Sequence, residues 1–493
     1  MTATHQKKFY ITTAIPYVNA RPHIGHALEF VQTDVIARSH RRSGEDVLML
    51  SGSDENALKN VQAAEQAGVP TQEFVDAHAN YFFELARALN VGFDVFQKGS
   101  SPEHHRSSQE LWKRCDAAGD IYKKSYEGLY CIGCEAFYAP EELTPERECF
   151  EHPGRKLERV AEENYFFQLS KYHDAIQKLI ASGELAITPE SRKNEMLAFL
   201  KEPLQDISIS RSNERAKNWG VPVPDDPSQR MYVWFDALNI YQSGIGFALD
   251  EKKYHQWWPT DLHVIGKGII RFHAIYWPAF LLSARIAVPK ALFVHGYCTV
   301  SGQKMSKTLG NIVDPMAVIR DYGTDALRYY LLREIPPASD GDFSVEKLHE
   351  RYNGDLANGL GNLVARVATL GERVSPISVS EAFLREDIRS AIREASEAVR
   401  VATGSFRFNE ALADIWRLIG VADRFVNETK PWTITDEAAL RDVLANACAV
   451  AAAIGDLVEP YLPETAARIR VQISFKDGRV IVKRGEGLFP RRA

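Results

Sequence analysis

Residues 8–50 constrain the fold of this chain more than any other segment. Residues 8–15 (KFYITTAI) are rich in β-branched and aromatic residues and predict a strand, and the apolar periodicity of residues 23–42 predicts a helix. Residues 46–50 (DVLML) are almost continuously apolar and predict a second strand. Apolar strands in a strand–helix–strand order are typical of a parallel sheet that is covered on both faces.

Strands of the same kind recur later in the chain, at residues 261–265 (DLHVI) and 291–295 (ALFVH). We therefore expect a doubly wound, Rossmann-like α/β sheet that is interrupted by a long insertion. Beyond about residue 345 the pattern becomes helical, and an all-α region is expected there. The elements predicted in that region are helices at 355–372, 384–404, 408–428 and 436–458 and a hairpin around Lys476-Asp477-Gly478.

The composition argues against several classes of protein. No apolar run approaches the roughly 20 residues that span a bilayer, and the first residues lack the apolar core of a signal peptide. The formal net charge of −6 argues against binding to nucleic acid through a global basic field. Six cysteines in 493 residues do not make a disulfide scaffold. We expect a cytoplasmic enzyme without a membrane partner.

Two histidines stand at the predicted junction between the first strand and its helix. His23 and His26 flank Gly25 at a helix N-terminus, where backbone N–H groups and the helix dipole favour phosphate. Two imidazoles there can donate hydrogen bonds to phosphate oxygens as charge builds in a transition state. A four-residue match of this kind also arises by chance, so the pair alone does not establish a nucleotide site.

A second segment strengthens the nucleotide hypothesis. Residues 301–311 (SGQKMSKTLGN) form a loop between glycines that carries Lys304, Ser306 and Lys307. Such a loop can close over a nucleotide, and its ammonium groups can stabilise a leaving pyrophosphate. A lone lysine pair is usually surface charge. Its position after the histidine pair, with predicted strands between them, makes chance a poor explanation.

Both segments resemble the HIGH and KMSKS signatures of class I aminoacyl-tRNA synthetases, with Thr308 in place of the usual final serine. The resemblance implies attack of an amino acid carboxylate on the α-phosphate of ATP, with Mg²⁺ on the phosphates. It makes the two histidines and the two lysines catalytic, and Lys307 the leading candidate for stabilising the transition state. The ATP-binding residues that it implies are His23, Gly25, His26, Lys267, Lys304, Ser306 and Lys307.

Further segments resemble methionyl-tRNA synthetases in particular. They are IPY (15–17), SGSDEN (51–56), the segment around Arg211, YVWFDALNIY (232–241) and GKGIIRFHAIYWPA (266–279). The methionine-binding residues that the resemblance implies are Ile15, Tyr17, Asp54, Arg211, Trp234, Ala237, Tyr241 and His273. Among them, Asp54 would hold the ammonium group and His273 would lie near the thioether. Independently of the resemblance, a polarisable thioether favours aromatic neighbours, although each aromatic residue alone fits ordinary core packing equally well.

The chain departs from the family pattern at two places. It has Asn56-Ala57 where family members commonly have His-Gly, and Gly266-Lys267-Gly268 where they commonly have Gly-Lys-Asp. If that aspartate helps to hold the nucleotide, its loss weakens ATP binding here.

Three cysteines and a histidine have the spacing of a metal knuckle. Cys131, Cys134, Cys149 and His152 form a C-x2-C-x14-C-x2-H pattern, which suits tetrahedral Zn²⁺ in a closed, structural site. Disulfides and an empty vestigial knuckle are the alternatives. The resemblance agrees with zinc, since synthetases of this family often carry a zinc knuckle in the inserted domain.

The helical region carries three residues that the resemblance assigns to the anticodon. Asn362 and Arg366 are four residues apart and share a helix face, and Trp432 follows Pro431. Stacking on a splayed base and hydrogen bonding to its edge are the usual means of reading a single-stranded RNA loop. Without the resemblance, a capping Asn, a surface Arg and a packed Trp would explain the same residues.

The expected architecture is a nucleotide-binding catalytic domain in two halves (1–114 and 226–345), a zinc-bearing insertion (115–225) and an anticodon-binding helical domain (346–493). The expected partners are ATP, L-methionine and tRNA(Met), and a monomer is expected because the chain ends without an appended module. Three alternatives remain: a class I synthetase for leucine, isoleucine, valine or cysteine, a small-molecule nucleotidyltransferase, and an inactive homologue that binds RNA.

Overall fold

The computed structural model describes residues 7–131, 136–138, 143–149, 157–305, 310–380 and 382–492. Its strands, in chain order, are β1 Lys8–Thr12, β2 Asp46–Ser53, β3 Val95–Lys98, β4 Ile121–Cys131, β5 Ala136–Tyr138, β6 Glu158–Phe167, β7 Ala186–Thr188, β8 Ile207–Ser208, β9 Ser210–Ser212, β10 Pro222–Val223, β11 Asp226–Met231, β12 Leu262–Gly266, β13 Ala291–His295, β14 Cys298–Val300, β15 Gln303–Lys304, β16 Gly341–Asp342, β17 Ile377–Ser378, β18 Ile473–Lys476 and β19 Arg479–Val482.

The α-helices, in chain order, are α1 Ile24–Arg42, α2 Leu58–Ala67, α3 Thr71–Ala88, α4 Pro102–Ala117, α5 His173–Ser182, α6 Glu190–Phe199, α7 Val233–Ala237, α8 Ile240–Ser243, α9 Glu251–Trp257, α10 Trp277–Ser283, α11 Pro315–Tyr322, α12 Thr324–Arg333, α13 Val345–Arg351, α14 Asn362–Glu372, α15 Glu386–Gly404, α16 Phe408–Thr429, α17 Glu437–Val458 and α18 Pro463–Gln472. Short 3₁₀ turns occur at Leu169–Tyr172, Lys267–Ile269 and Pro431–Thr433, and π-helical segments at Phe272–Tyr276 and Tyr352–Gly361.

The chain folds as two compact units, which we describe separately. Unit 1 consists of the described residues of Met1–Pro22, His40–Ala86 and Gly92–His295. Unit 2 consists of those of His23–Ser39, Arg87–Val91 and Gly296–Ala493.

A six-stranded parallel sheet organises unit 1, in the order β3-β2-β1-β12-β13-β7. The order reverses beside β1, which makes the sheet doubly wound. Every residue of β2 after Asp46 is buried, as expected for a parallel strand that is covered on both faces. The predicted α/β fold is therefore confirmed.

Antiparallel strands fill much of the stretch between β3 and β12. One sheet has the order β5-β4-β6-β8 and a smaller one the order β10-β11-β9. β7 differs from these strands, because it leaves the antiparallel region and pairs in parallel with β13 at the edge of the main sheet. Its three residues were not predicted as a strand.

The C-terminal part of unit 2 is helical, as predicted. The predicted helix 355–372 is a π-helical segment followed by α14, and the next three predicted helices agree with α15, α16 and α17 to within two residues at each end. The predicted hairpin is formed by β18 and β19. Among the described residues, α17 alone is long and apolar enough to cross a membrane, and 56% of its most apolar window is buried inside the protein. It therefore fits the description of a core helix.

Candidate functional site

The histidine pair is held by the backbone at the start of α1. The N–H of His23 donates to Nδ1 of His26 over 3.1 Å, and the N–H of Gly25 donates to Nδ1 of His23 over 3.1 Å. Because each Nδ1 accepts a hydrogen bond, each neutral ring carries its proton on Nε2. The ring centroids are 4.0 Å apart. Two Nε2–H donors thus lie side by side at a helix N-terminus, where anions bind.

Gly25 leaves no room for a side chain between the histidines. A Cβ placed there would lie 2.9 Å from Cε1 and 3.1 Å from Nδ1 of His23. It would also lie 3.7 Å from Cε of Met305, so the lysine segment approaches the histidine pair within unit 2. Glycine at this position permits the observed orientation of the His23 ring, whereas the contact with Met305 would tolerate a Cβ.

A tight hairpin of β14 and β15 leads into the lysine segment. Its turn residues Ser301 and Gly302 have φ angles of 53° and 72°, which are typical of a type I′ turn. Both carboxylate oxygens of Asp342 accept the N–H of Gly302 at 2.9 Å, and the carboxylate also accepts the hydroxyl of Thr299. The Thr299 hydroxyl, and then the Gly302 amide, lower the pKa of Asp342. Lys304 is the last residue of β15.

The remaining predicted residues of the lysine segment, Ser306 and Lys307, lie outside the described residues. Lys267 belongs to unit 1, where it opens the 3₁₀ turn after β12 and is half-buried. The following Gly268 lies in the same turn.

Tyr17 and Asp54 meet just beyond the carboxyl ends of β1 and β2. They form a short parallel bridge, and the N–H of Asp54 donates to the carbonyl of Pro16 over 2.9 Å. The carbonyl of Asp54 accepts the side-chain amide of Asn60 over 2.9 Å. Asp54 is only 2% exposed. A buried carboxylate is therefore fixed at the edge of the sheet where α/β proteins bind ligands.

Aromatic rings surround Trp234, which lies on the short helix α7. Its ring stacks on Phe272 with centroids 3.7 Å apart and an angle of 4° between the planes. Tyr17 meets it edge-on, with centroids 6.1 Å apart. Ala237 follows on the same helix and is buried, and Ile15 is partly buried against the same core. The structure thus brings together Tyr17 and Trp234, two of the residues predicted to bind methionine.

Tyr241 and His273 share a buried hydrogen bond of 2.8 Å between the phenol oxygen and Nε2. Nδ1 of His273 lies 2.9 Å from the carbonyl of Ile269. A carbonyl only accepts, so Nδ1 carries the proton and Nε2 accepts the hydrogen bond of Tyr241. Burial lowers the pKa of His273 to about 4, so the ring is neutral at pH 7. The ring of His263 packs against that of Tyr241, with centroids 4.3 Å apart, and its Nδ1 shares a hydrogen bond with the hydroxyl of Thr12.

Arg211 is buried at 6% exposure, away from the protein surface. Its guanidinium carbon lies 4.9 Å from the ring centroids of both Tyr130 and Tyr232, and it donates to the hydroxyl of Tyr130. A strand of the antiparallel region, β4, supplies Tyr130. The arginine thereby ties that region to the segment that leads into α7.

Two of the four predicted zinc ligands are described, and both are buried. Cys131 ends β4 at 1% exposure, and Cys149 is fully buried. Cys134 and His152 lie outside the described residues. Within the described ranges no three histidine, cysteine or acidic side chains cluster closely enough to hold a metal ion.

The three residues predicted to read the anticodon lie in unit 2. Asn362 is the first residue of α14 and is exposed. The guanidinium carbon of Arg366 lies 5.8 Å from the ring centroid of Trp432, which is 51% exposed. Asn427 accepts a 2.6 Å hydrogen bond from Arg366 and so orients the guanidinium. Arg366 and Trp432 are therefore neighbours although 66 residues separate them in sequence.

Several residues near these positions were not singled out from the sequence. Phe272 and Asp236 lie inside segments that resemble the family, and His263 lies inside a predicted strand, but nothing in the sequence distinguishes their side chains from core residues. Asn56 differs from the family pattern, but the sequence gives it no role. The signals that mark them are contacts with residues distant in sequence.

Comparison with known proteins supports one family. The family of class I tRNA synthetases of the methionine type matches residues 9–368. The methionine–tRNA ligase of Thermotoga maritima is 41% identical over 95% of this chain and 76% of its own length. The methionine–tRNA ligase of Mycobacterium bovis is 41% identical over 94% of this chain and 91% of its own length.

Solved structures agree with the sequence comparison. The methionyl-tRNA synthetase of Mycobacterium tuberculosis in complex with methionyl-adenylate superimposes with a TM-score of 0.92 at 38% identity, and covers 99% of this chain and 100% of that one. The apo form of the same organism's enzyme gives a TM-score of 0.84 at 35% identity, over 100% of both chains.

Proposed function

Because this chain belongs to the methionyl-tRNA synthetases of class I, we propose that it activates L-methionine with ATP and transfers the methionyl group to tRNA. The first step gives methionyl-adenylate and pyrophosphate, and the second esterifies the 3′ end of initiator and elongator tRNA(Met). The observation that supports the proposal is a series of contacts in unit 1 that links Asp54, Tyr17, Trp234, His273 and Tyr241 near one edge of the parallel sheet.

Methionine fits this pocket for physical reasons. The carboxylate of Asp54 binds the ammonium group, and the aromatic rings contact the thioether chain, whose sulfur is polarisable. The hydroxyl of Tyr241 donates a hydrogen bond to Nε2 of His273. This bond fixes the imidazole beside Trp234. Ile15 and Ala237 complete the apolar wall. Arg211 supports the wall through Tyr232.

The nucleotide is bound by the residues of the two signatures. His23 and His26 donate their Nε2–H groups to phosphate oxygens, and Gly25 allows the phosphates to approach. Lys304, Ser306 and Lys307 hold the leaving pyrophosphate, and Lys267 adds positive charge to the ATP site. Mg²⁺ bound with ATP neutralises phosphate charge as it develops. The reaction depends on positioning and charge stabilisation, not on a general base.

The other assignments from the sequence are proposed on the same basis. Residues 1–114 and 226–345 form the catalytic domain, 115–225 the insertion and 346–493 the domain that reads the anticodon through Asn362, Arg366 and Trp432. We also propose a cytoplasmic monomer without a membrane partner.

One structural zinc per chain is held by Cys131, Cys134, Cys149 and His152. The burial of both described cysteines fits this donor set, because structural zinc ligands are shielded from water. Metal analysis of protein purified without chelator should give about one equivalent of zinc. Less than half an equivalent would contradict this assignment.

Pyrophosphate exchange into ATP across a panel of amino acids tests the proposed function. We expect exchange with methionine and none with leucine, isoleucine, valine or cysteine at equal concentration. If none of the amino acids supports exchange, the chain is an inactive homologue. If exchange occurs when amino acid is omitted, the chain is another kind of nucleotidyltransferase.

The same assay tests the role of Lys307. Lys307→Ala should lower the exchange rate by about 100-fold and leave the KM for methionine nearly unchanged, because its charge acts on the transition state. Lys252→Ala, at an exposed lysine of α9, is the matched control. A defect confined to methionine binding would remove Lys307 from this role.

A further inference from the structure

Asn56 follows Asp54 by two residues, at the place where the chain departs from the family pattern. Its side-chain nitrogen donates two hydrogen bonds, to the carbonyl of Gly99 over 2.9 Å and to Oδ2 of Asp236 over 2.6 Å. Both partners are acceptors, so the nitrogen of the amide must face them. The short bond to a carboxylate is the stronger of the two, since charge-assisted hydrogen bonds exceed neutral ones.

Asp236 lies on α7, between Trp234 and Ala237. It is 1% exposed, so its carboxylate depends on protein donors for its solvation. The nearest ring nitrogen of His104 is 4.0 Å away, beyond hydrogen-bond distance. The amide of Asn56 is thus a close donor from a different segment of the chain.

Hydrogen bonds also hold the segment that bears Asn56. The N–H of Gly99 donates to the carbonyl of Ser53 over 3.0 Å, and a Cβ at Gly99 would lie 2.9 Å from that carbonyl oxygen. Glu55 accepts the hydroxyl of Ser53 and the N–H of Ser100. Asn56 therefore connects α7 to the hydrogen-bonded residues 53–55 and 99–100, which include Asp54.

We propose that Asn56 and Asp236 are positioning residues of the methionine pocket. Their hydrogen bond sets the distance between the carboxylate that binds the ammonium group, on Asp54, and the indole that contacts the thioether chain, on Trp234. This inference rests on the proposed function and deepens it. It assigns no contact with substrate to either residue.

The test measures KM for methionine and KM for ATP separately in pyrophosphate exchange. Asn56→Leu keeps the size of the side chain and removes both donors. We expect its KM for methionine to rise about 10-fold, from the loss of one charge-assisted bond, and its KM for ATP to stay within about twofold. Asn80→Leu is the matched control, because Asn80 also donates to a carboxylate but does so on the surface of α3.

A double-mutant cycle distinguishes the bond from general loosening. In the Asp236→Asn background, Asn56→Leu should raise the methionine KM by less than it does in the wild type, because the shared bond is already weakened. Asn56→Ser, in which the serine side chain is too short to reach both acceptors, should also raise KM for methionine. It replaces Asn56→Leu in the test if that variant does not fold.

Two results would overturn the inference: an unchanged methionine KM in folded Asn56→Leu or Asn56→Ser, or equal increases in both KM values. Failure of the proposed function is distinct from either, because the wild-type chain would then show no exchange with methionine.

Discussion

Nε2 of histidine is a hydrogen-bond donor at some positions of this chain and an acceptor at another. The backbone group that contacts Nδ1 determines which of the two it is. At His23 and His26 a backbone N–H engages Nδ1, and each Nε2 is left as a donor. At His273 a backbone carbonyl engages Nδ1, and Nε2 becomes an acceptor. The first arrangement suits anionic phosphates and the second suits a phenol hydroxyl. The tautomer at each position follows from one neighbouring backbone group.

Gly25→Ala tests the geometry of the histidine pair. The added methyl group would lie 2.9 Å from Cε1 of His23, so the imidazole must rotate away. We expect the methionine-dependent exchange rate to fall by about 100-fold, since displacing a catalytic group by about 1 Å has effects of that size. Gly404→Ala is the control, because a Cβ there meets nothing within 4 Å. Equal rates in both variants would contradict this account.

Burial of His104, His263 and His273 predicts a dependence of stability on pH. Burial lowers the pKa of His104 to about 3 and of His273 to about 4, and lowers that of His263 strongly. Below pH ~6.5 the unfolded chain takes up protons that the folded chain does not, so stability falls as pH falls.

His104→Gln should reduce this dependence. Between pH ~6.5 and ~5.5 the free energy of unfolding of the variant should fall by about 1 kcal/mol less than that of the wild type, as measured by denaturant titration. An unchanged slope in His104→Gln would show that its imidazole is charged in the folded state.

At the scale of elements, Arg328 joins α12 to three other parts of unit 2. It is fully buried and donates to Asp34 on α1 over 2.8 Å. It also donates to the carbonyls of Leu89, Pro460 and Tyr461. Arg38, one turn further along α1, donates to the same carboxylate over 2.7 Å. The helix that begins with the histidine pair is thus bonded to the helical region by a guanidinium that donates four hydrogen bonds.

Arg328→Met should destabilise the protein by about 3–5 kcal/mol, because it leaves Asp34 and three carbonyls short of donors. Denaturant unfolding measures the change. Arg400→Met, at an exposed arginine of α15 paired with Glu397, is the matched control and should leave the free energy of unfolding nearly unchanged. Equal losses of unfolding free energy in the two variants would show that burial does not increase the contribution of the ion pair to stability.

Some elements of this fold can be predicted from the sequence and others cannot. β2 carries a continuous apolar run and α16 a helical periodicity, and their predicted bounds agree with the structure to within three residues. β7 has only three residues, too few for a pattern, and is defined by its partner β13. The pairing of Asn56 with Asp236 spans 180 positions and leaves no local signal. Short elements and long-range contacts therefore need the tertiary structure.

At the scale of the whole molecule, the proposed residues divide between the two units. The residues proposed to bind methionine belong to unit 1, and the two signature segments and the proposed anticodon residues belong to unit 2. The side chains proposed to activate methionine and those proposed to read the anticodon nevertheless form two sets that share no residue. Mutations should separate the two steps.

Trp432→Ala should leave methionine-dependent exchange nearly intact and lower aminoacylation by about 10-fold, because one stacked base contributes roughly 1–3 kcal/mol. Exchange and tRNA charging are measured on the same preparation. Phe83→Ala, at another exposed aromatic residue, should change neither. Equal losses in both assays would make Trp432 structural.

The edge strand β7 also limits how the chain can be taken apart. It lies in sequence after the antiparallel ladder of β4 and β6, yet it supplies the last strand of the parallel sheet. Excising residues 115–225 as one block would strip β13 of a neighbour and expose its backbone amides and carbonyls to self-association. A viable deletion must splice around residues 186–188. The proposed insertion, residues 115–225, therefore cannot be removed as one block without loss of a strand of the main sheet, and such a deletion should yield an aggregating protein.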